Sequence, residues 1–591
     1  MSFVHLRVAS GYSFKYGTSH ITDLVKRAAE FGAKSLALTD RDSLAGVIRF
    51  AKECEAHGIN PIIGVNLSLE QKKYRVTLLA EPGGLASLYR LFTALNFQAA
   101  DGVITSKFLG DNSKYLDKLL LMHGPESQLV AALKANRRTE AYSIFNAYKD
   151  FFKEQAIECV SHQRAGDGAF STVLAGKSLA FARDKKISAV ISNAVRMLDR
   201  KDGPIADVLD ATRNLTPLSA RTVERSNSEA FLKSQLEMKN LADEIARAAG
   251  ERSGVGLVNK TLEWAERTAL SPRVDIGLGG VHLPEPEVVG ARNQGEATVQ
   301  LRERCWQRMD IYLGDKLAKE RLEEELSVVN RLGYETYFLT VADIVDMSKE
   351  MGIRVAARGS GAGSLICYLL GISGVEPLAN NLIMERFCSV TRGELPDIDI
   401  DVESARRLEI YDAIFKKYGE RCATVAMVET YRARHAIRDV GAAMGIAPME
   451  IDLIAKSLPH ISSKNIERAL NNLPELKHLN INSKILKIAI DIAARLDRLP
   501  RHLSMHPCAI AISDSGLRDR APLISNRSGY PMLQFDKDDV EEIGLLKLDV
   551  LGVRMQSAIS YAIKEIERLE EKKLDIDSIP LDDKATFDLI K

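Results

Sequence analysis

Cysteine is scarce in this 591-residue sequence: seven residues, at 54, 159, 305, 367, 388, 422 and 508, scattered, odd in number and without a Cys-x-x-Cys pair. That usage excludes a disulfide framework and a zinc ribbon. Apolar runs are short, and none is long enough to cross a bilayer as a helix. The opening residues, MSFVHLRVAS, lack the basic-then-apolar layout of a secretory leader, which predicts a cytoplasmic protein. Neither sign of charge is in excess, with 80 Lys and Arg against 80 Asp and Glu. Totals therefore say nothing of a nucleic-acid partner, and any such site has to be local. Long internal repeats and low-complexity tracts are absent too. What remains is ordinary globular composition, 46% hydrophobic and 27% charged, which excludes a largely disordered or collagen-like chain. The length suits roughly three or four domains.

Near the N-terminus the hydrophobic pattern alternates in period. A strand is expected over Phe3–Leu6, a helix over Ile21–Phe31 that stops at Gly32, and a strand over Ser35–Leu38. A second helix ends before Gly58, and a strand follows over Pro61–Leu67. Strand, helix and strand with glycine just past each helix is a βαβ signature, with parallel strands and right-handed crossovers. Repeated, it builds a barrel or an open doubly wound sheet, and both place their chemistry at the carboxyl ends of strands. Helical patterns dominate 100–290, and Pro272–Pro286, rich in glycine and proline, reads as a linker. A long amphipathic helix is expected over Lys316–Leu332, with Leu322, Leu326, Val329 and Leu332 on one face and Gly333 as its stop. Arg432–Arg501 reads as mainly helical and carries 12 Lys and Arg against 7 Asp and Glu.

Three segments carry chemistry. In IRVAARGSGAGSLICYLLG, from Ile353 to Gly371, a short strand runs into a glycine-rich turn and then an apolar helix. Glycines let backbone approach a ligand closely, and the N–H groups that open a helix favour an anion. No lysine follows the last glycine and the spacing is not that of a dinucleotide fingerprint, so the turn fits a tight structural bend as well as a phosphate cradle. In PDIDIDV, the side chains of Asp397, Asp399 and Asp401 project from one face of a strand and the isoleucines from the other. Three carboxylates on one face repel unless a cation sits between them. A calcium loop starting at Asp397 needs Gly at 402 and Glu at 408, where the sequence has Val402 and Leu408. In IGLLKLDVLGV, Asp549 lies in an almost wholly apolar strand. A lone buried carboxylate there needs a partner, and the 397/399 pair acting through a metal is the economical one. Lys547 shares its face. A phosphate-cradling turn, a DxD strand and a distant third Asp are the parts of two-metal nucleotidyl transfer.

Taken with ERF (385–387), IRDVG (437–441), QFDKDDVEEIGLLKLDVLG (534–552) and IPLDDKATFDLI (579–590), these segments resemble, in order and spacing, the alpha subunit of bacterial DNA polymerase III, the family C polymerases. The resemblance implies an α/β fold: an N-terminal polymerase-and-histidinol-phosphatase (PHP) βα barrel, then a polymerase-β-like nucleotidyltransferase palm with an inserted helical thumb. It divides the chain into PHP domain (1–283), palm (284–431 and 509–570), thumb (432–508) and the start of fingers (571–591). It makes Asp397, Asp399 and Asp549 the catalytic ligands of two Mg²⁺ ions and ranks Asp401 lower, since relatives can carry a non-acidic residue there. It assigns Arg358, Gly359, Ser360, Gly363, Ser364 and Lys547 to the incoming triphosphate. The basic thumb segment becomes a tracker of the DNA backbone.

The barrel departs from the metal-binding pattern of its family. A His-x-His pair becomes His5 and Arg7, a strand-end TDH becomes Thr39-Asp40-Arg41, an expected Glu is Asn66, and an N-x-V-H element ends in Arg196. Guanidinium groups repel metal cations, so no metal is expected there, and His5 and Asp40 read as hydrogen-bonded barrel residues. The resemblance therefore implies template-directed DNA synthesis on primed DNA from deoxynucleoside triphosphates, in replication or translesion synthesis, with a sliding clamp and a proofreading exonuclease subunit as partners. Two alternatives stand beside it: a metal-dependent phosphoesterase or 3′–5′ exonuclease in the barrel, and an inactive DNA-binding replisome scaffold. The intact acidic triplet argues against the latter. The sequence also reads as a truncated piece, ending in an apolar helix around Phe587 and Leu589 where relatives continue into fingers. As such it is expected to bind primed DNA weakly and not to extend it.

Overall fold

A computed structural model describes residues 3–69, 73–99, 104–220, 227–388, 395–472, 484–576, 579 and 583–591. Part of the basic segment, 473–483, and residues 580–582 of the last quoted motif lie outside them. The chain forms two units. The first comprises Met1–Gly280, Ala426–Met505 and Arg518–Glu542, and the second Val281–Val425, His506–Leu517 and Ile543–Lys591. These units cut across the expected domain boundaries. Most of 432–508, read as thumb, and 518–542, read as palm, group with the N-terminal barrel. The reason is burial. Ile205, Val208 and Leu209 of helix Gly203–Asn214 share one core with Ile437, Val440, Ile454 and Ile490. Leu523 N–H donates to the Thr93 hydroxyl (3.0 Å), and Leu44 N–H to the Gln534 side-chain carbonyl (2.7 Å).

In the first unit, six strands run in sheet order β1 (Ser35–Leu38), β2 (Asn60–Leu69), β3 (Tyr74–Ala80), β4 (Leu119–His123), β5 (Glu154–Cys159) and β6 (Ser188–Ile191). β1 and β2 pair in parallel, as the βαβ reading requires, while β3 is antiparallel to both β2 and β4. The expected strand over Phe3–Leu6 is extended but forms no ladder. Instead the stretch bonds on two sides: Ala37 N–H reaches His5 O and Thr39 N–H reaches Val8 O, while Val195 N–H reaches Arg7 O. It thereby closes the ring between β1 and the chain beyond β6. Facing residues Ala37, Ile62, Leu79, Leu120, Met122, Ala156 and Val190 fill the interior with Trp264. The expectation that helices dominate 100–290 missed β4, β5 and β6. These strands are short and largely buried, so LLLMH and SAVI show no alternation. Helices Ile21–Glu30 and Val47–His57 fall where the pattern places them.

In the second unit the expected long helix runs over Lys316–Leu332, and Gly333 ends it in the left-handed region at φ 71°. Three strands carry the chemistry: β7 (Val355–Arg358), β8 (Ile398–Glu403) and a later strand, Leu546–Val553. β8 pairs in parallel with Leu546–Val553 and antiparallel with β7. Ala509–Ile512 lines the far edge of Leu546–Val553, antiparallel to it. Helix Lys584–Ile590 forms around the apolar residues of the last motif. Among the described residues, no helix is long and apolar enough to cross a membrane.

Candidate metal centre

β8 forms because its residues alternate. Ile398, Ile400 and Val402 are fully buried on one face, which turns Asp399 and Asp401, with Asp397 just before the strand, to the other. Register then does the rest. Asp549 stands directly opposite Asp399 across the parallel pair, and Arg358 opposite Asp399 on the antiparallel side. Tyr337, itself buried, donates its hydroxyl to Pro396 O at 2.6 Å and fixes the entry of the strand.

One carboxylate oxygen from each of Asp397, Asp399 and Asp549 lies within 4.8 Å of the others. Lys547 Nζ stands 2.8 Å from Asp549 Oδ2 and 3.0 Å from Asp397 Oδ1. Burial lowers the Lys547 ammonium, but hydrogen bonds and charge from Asp549 and Asp397 outweigh it, so the lysine stays protonated. Asp399 is pushed up to about 6, first by burial and then by the charges of Asp397 and Asp549. The Oδ1 atoms of Asp399 and Asp549 are buried with no hydrogen-bond partner. Hard oxygen ligands, mutual repulsion and two unsatisfied buried oxygens fit a divalent cation such as Mg²⁺. Lys547, expected at a triphosphate, here binds the carboxylates themselves.

The glycine-rich turn is divided in its surroundings. Arg358, Gly359 and Ser360 are exposed, while Gly363 and Ser364 are buried. Arg358 donates to Asp401 Oδ2 from Nη2 (2.9 Å) and Nε (3.1 Å), so the third Asp of the strand holds the arginine. Gly359 has φ 82°, and a Cβ on Gly363 would stand 2.6 Å from Ile383 O. Both glycines are therefore required by the bend itself. The Ser364 hydroxyl donates to Glu325 (2.9 Å), and the N–H groups of Leu365 and Ile366 donate to the same carboxylate at 3.0 and 3.1 Å. The anion expected at this helix start is thus internal, and Ser364 and Gly363 do not join the open face with Arg358, Gly359 and Ser360. Glu325 was missed in the sequence, although it sits at helical spacing between Leu322 and Val329 on the apolar face of Lys316–Leu332.

In the barrel, Arg7 pairs with Glu126 and with Glu158 (3.1 Å), and Arg41 with the other oxygen of Glu126 (3.1 Å). Arg196 is bidentate to Asp210 and also donates to Tyr16 O. The guanidinium carbons of Arg41 and Arg196 stand 4.5 and 4.0 Å from the Tyr16 ring centre. Asp40 is buried and accepts from Ser10 and Ser13, and burial raises it to about 6 against those bonds. The His5 ring donates from Nε2 to Lys233 O (2.9 Å), and burial lowers it to about 4. Asn66 is buried and bonded to Thr77 and Arg75.

Residues 299–552 match the family described as bacterial DNA polymerase III alpha NTPase domain, and residues 5–162 match the PHP domain. The chain is 32% identical to the error-prone DNA polymerase of Symbiobacterium thermophilum, over all of this chain and 54% of that protein. It is 31% identical to DNA polymerase III subunit alpha of Bacillus subtilis (all of this chain, 52% of that one). To the Escherichia coli K12 protein of the same description it is 29% identical (all of this chain, 51% of that one). The chain spans about half the length of the curated relatives it matches. The chain thus carries a PHP domain followed by the NTPase domain of the bacterial DNA polymerase III alpha subunit, and it is homologous to these polymerases from end to end of its own sequence.

Proposed function

We propose that the carboxylates of Asp397, Asp399 and Asp549 are the nucleotidyl-transfer centre of a template-directed DNA polymerase, which adds deoxynucleoside monophosphates to a primer 3′-hydroxyl in replication or translesion synthesis. The observation that carries this is the convergence of three carboxylates around two buried oxygens that have no partner. Asp397, Asp399 and Asp549 would hold two Mg²⁺ ions, which when bound supply activation of the hydroxyl and stabilisation of the leaving pyrophosphate. Lys547 orients Asp397 and Asp549 and offsets their repulsion. Asp401 aims Arg358 along the sheet, where with Gly359 and Ser360 it is available to phosphate oxygens. Ser364 acts through the bend, as a positioning residue.

In this reading 1–283 is the PHP domain, 284–431 and 509–570 the palm, 432–508 the thumb and 571–591 the start of fingers. The arginine-tied barrel is a platform without a metal of its own. Primed DNA, a sliding clamp and a proofreading exonuclease subunit are its partners, in the cytoplasm. The test is primer extension by the protein as encoded in full, beside Mn²⁺ binding by this chain. Asp397→Asn, Asp399→Asn and Asp549→Asn should each abolish extension and weaken Mn²⁺ binding, with Asp401→Asn affecting both much less. Near-normal extension by Asp549→Asn would remove the third ligand from the assignment. Exonuclease activity surviving Asp397→Asn/Asp399→Asn would point to the barrel instead.

A further inference from the structure

We propose that His506, Cys508 and Asp549 form a site for a thiophilic divalent cation, zinc in a cell, next to the carboxylate centre and sharing Asp549 with it. His506 and Cys508 flank Pro507 on one strand, Pro500–Ile512, and Asp549 reaches them from the neighbouring strand. His506 Nδ1 lies 3.6 Å from Cys508 Sγ and 3.9 Å from Asp549 Oδ1. The three ligand atoms all fall within 4.8 Å of one another, and all three residues are half-buried. Zinc bonds of about 2.0–2.3 Å set tetrahedrally place ligand atoms roughly 3.3–3.8 Å apart. The His506 Nδ1–Cys508 Sγ separation already lies in that range and the His506 Nδ1–Asp549 Oδ1 separation just beyond it.

The donor set selects the ion. Nitrogen, sulfur and a single carboxylate oxygen suit zinc or its analogues, whereas Mg²⁺ demands oxygens. Asp549 divides its two oxygens accordingly. Oδ2 is held by Lys547 at 2.8 Å, and Oδ1, the atom facing His506, is buried without a hydrogen-bond partner. Local bonds change when the ion enters. Ala509 N–H and Cys508 N–H donate to His506 Nδ1 at 3.0 and 3.5 Å, and a cation at Nδ1 displaces both. Without an ion the Cys508 thiol carries its proton at neutral pH. On binding, the Sγ–H bond breaks, an Sγ–metal bond forms, and the proton leaves to solvent.

If the nucleotidyl-transfer reading holds, an ion in this site occupies the Asp549 oxygen that Mg²⁺ needs, so micromolar zinc would inhibit and a chelator restore. The binding site itself does not depend on that reading. Cobalt(II), a spectroscopic stand-in for zinc, is titrated into the whole chain without DNA or nucleotide, and circular dichroism and thermal melting check each variant for folding. One equivalent should bind with a thiolate-to-cobalt charge-transfer band and tetrahedral visible bands, and zinc should displace it. Cys508→Ser should lose the band, His506→Gln should weaken binding at least about tenfold, and Asp397→Asn should leave the band intact. Absence of the band from the unaltered chain, or its survival in Cys508→Ser, overturns the proposal. Its loss in Asp397→Asn would overturn the separateness of the two sites. Failure of primer extension by the protein as encoded in full, with the cobalt band present in this chain, would count against the polymerase reading alone.

Discussion

The hydroxyl of Ser364 donates to the carboxylate of Glu325 across 2.9 Å, inside the second unit and shielded from solvent. That one carboxylate also receives Leu365 and Ile366 N–H and pairs with Arg321 at 2.8 Å. Removing it leaves buried donors unsatisfied, at about 1–3 kcal/mol each when no water replaces it. Glu325→Ala should therefore lower unfolding stability by about 3 kcal/mol or more. Glu325→Gln, which keeps the acceptor oxygen, should cost less. Denaturant midpoints of the two variants check this, and equal midpoints would show that water fills the gap.

Asp399 gives the protein a pH dependence of definite sign. Its folded-state value of about 6 lies above the ordinary 3.8, so the folded state holds this proton more tightly than the unfolded chain. That contribution is complete below about 4 and is lost as the pH rises through about 6. Asp40, also raised to about 6, acts in the same direction in the barrel. With chelator present, urea midpoints of the Asp399→Asn variant should fall less between pH 4 and 6 than those of the parent. Added Mg²⁺ should restore the parent near neutrality.

Glu126 has the opposite sign. Burial works to raise it, but Arg7, Arg41 and Arg75 outweigh burial and hold it at about 2, below the ordinary 4.5. Its contribution is present above about 4.5 and is lost as the pH falls towards about 2. Glu126→Gln should cost about 2–3 kcal/mol at neutral pH, because Arg7 is buried and Arg41 loses its carboxylate partner. It should also flatten this part of the acid-unfolding curve. Stability profiles between pH 2 and 5 separate the two effects.

Helix Lys484–Arg495 buries Leu486, Ala489 and Ile490 and exposes Lys484 and Lys487. If these lysines neutralise DNA phosphates, Lys484→Ala and Lys487→Ala should each weaken binding to any primed duplex alike. Each should also reduce the slope of log affinity against log salt by about 1. Anisotropy titrations at several salt concentrations measure this. An unchanged slope would take the helix off the DNA path.

The legible parts of this chain were those where one face is apolar and the other not. The alternation of Asp397, Asp399 and Asp401 with isoleucine gave away both the strand and the shared face, and Lys316–Leu332 announced its length through leucine spacing and Gly333. Burial on both faces erases that signal, which is why β4 to β6 were read as part of a helical stretch. Pairwise chemistry was the other blind spot. The sequence marks Ser364 as the start of a helix open to an anion, yet nothing local says that Glu325, forty residues earlier, is the anion. Lys547 was correctly placed on the face of Asp549, but only tertiary register reveals that its partners are carboxylates.

The sharing of Glu126 between Arg7 and Arg41 bears on how this barrel can change. Placing an imidazole at position 7 in a single step would leave Glu158, which is buried, and one side of Glu126 without their guanidinium. Replacing Arg41 alone strips the other side. Each intermediate on a path towards metal ligands at these positions therefore passes through a less stable protein before any ion could compensate. Mutations at such a cluster are tolerated only in concert. The shared carboxylate thus couples positions 7 and 41, so the cost of changing both should differ from the sum of the two single changes.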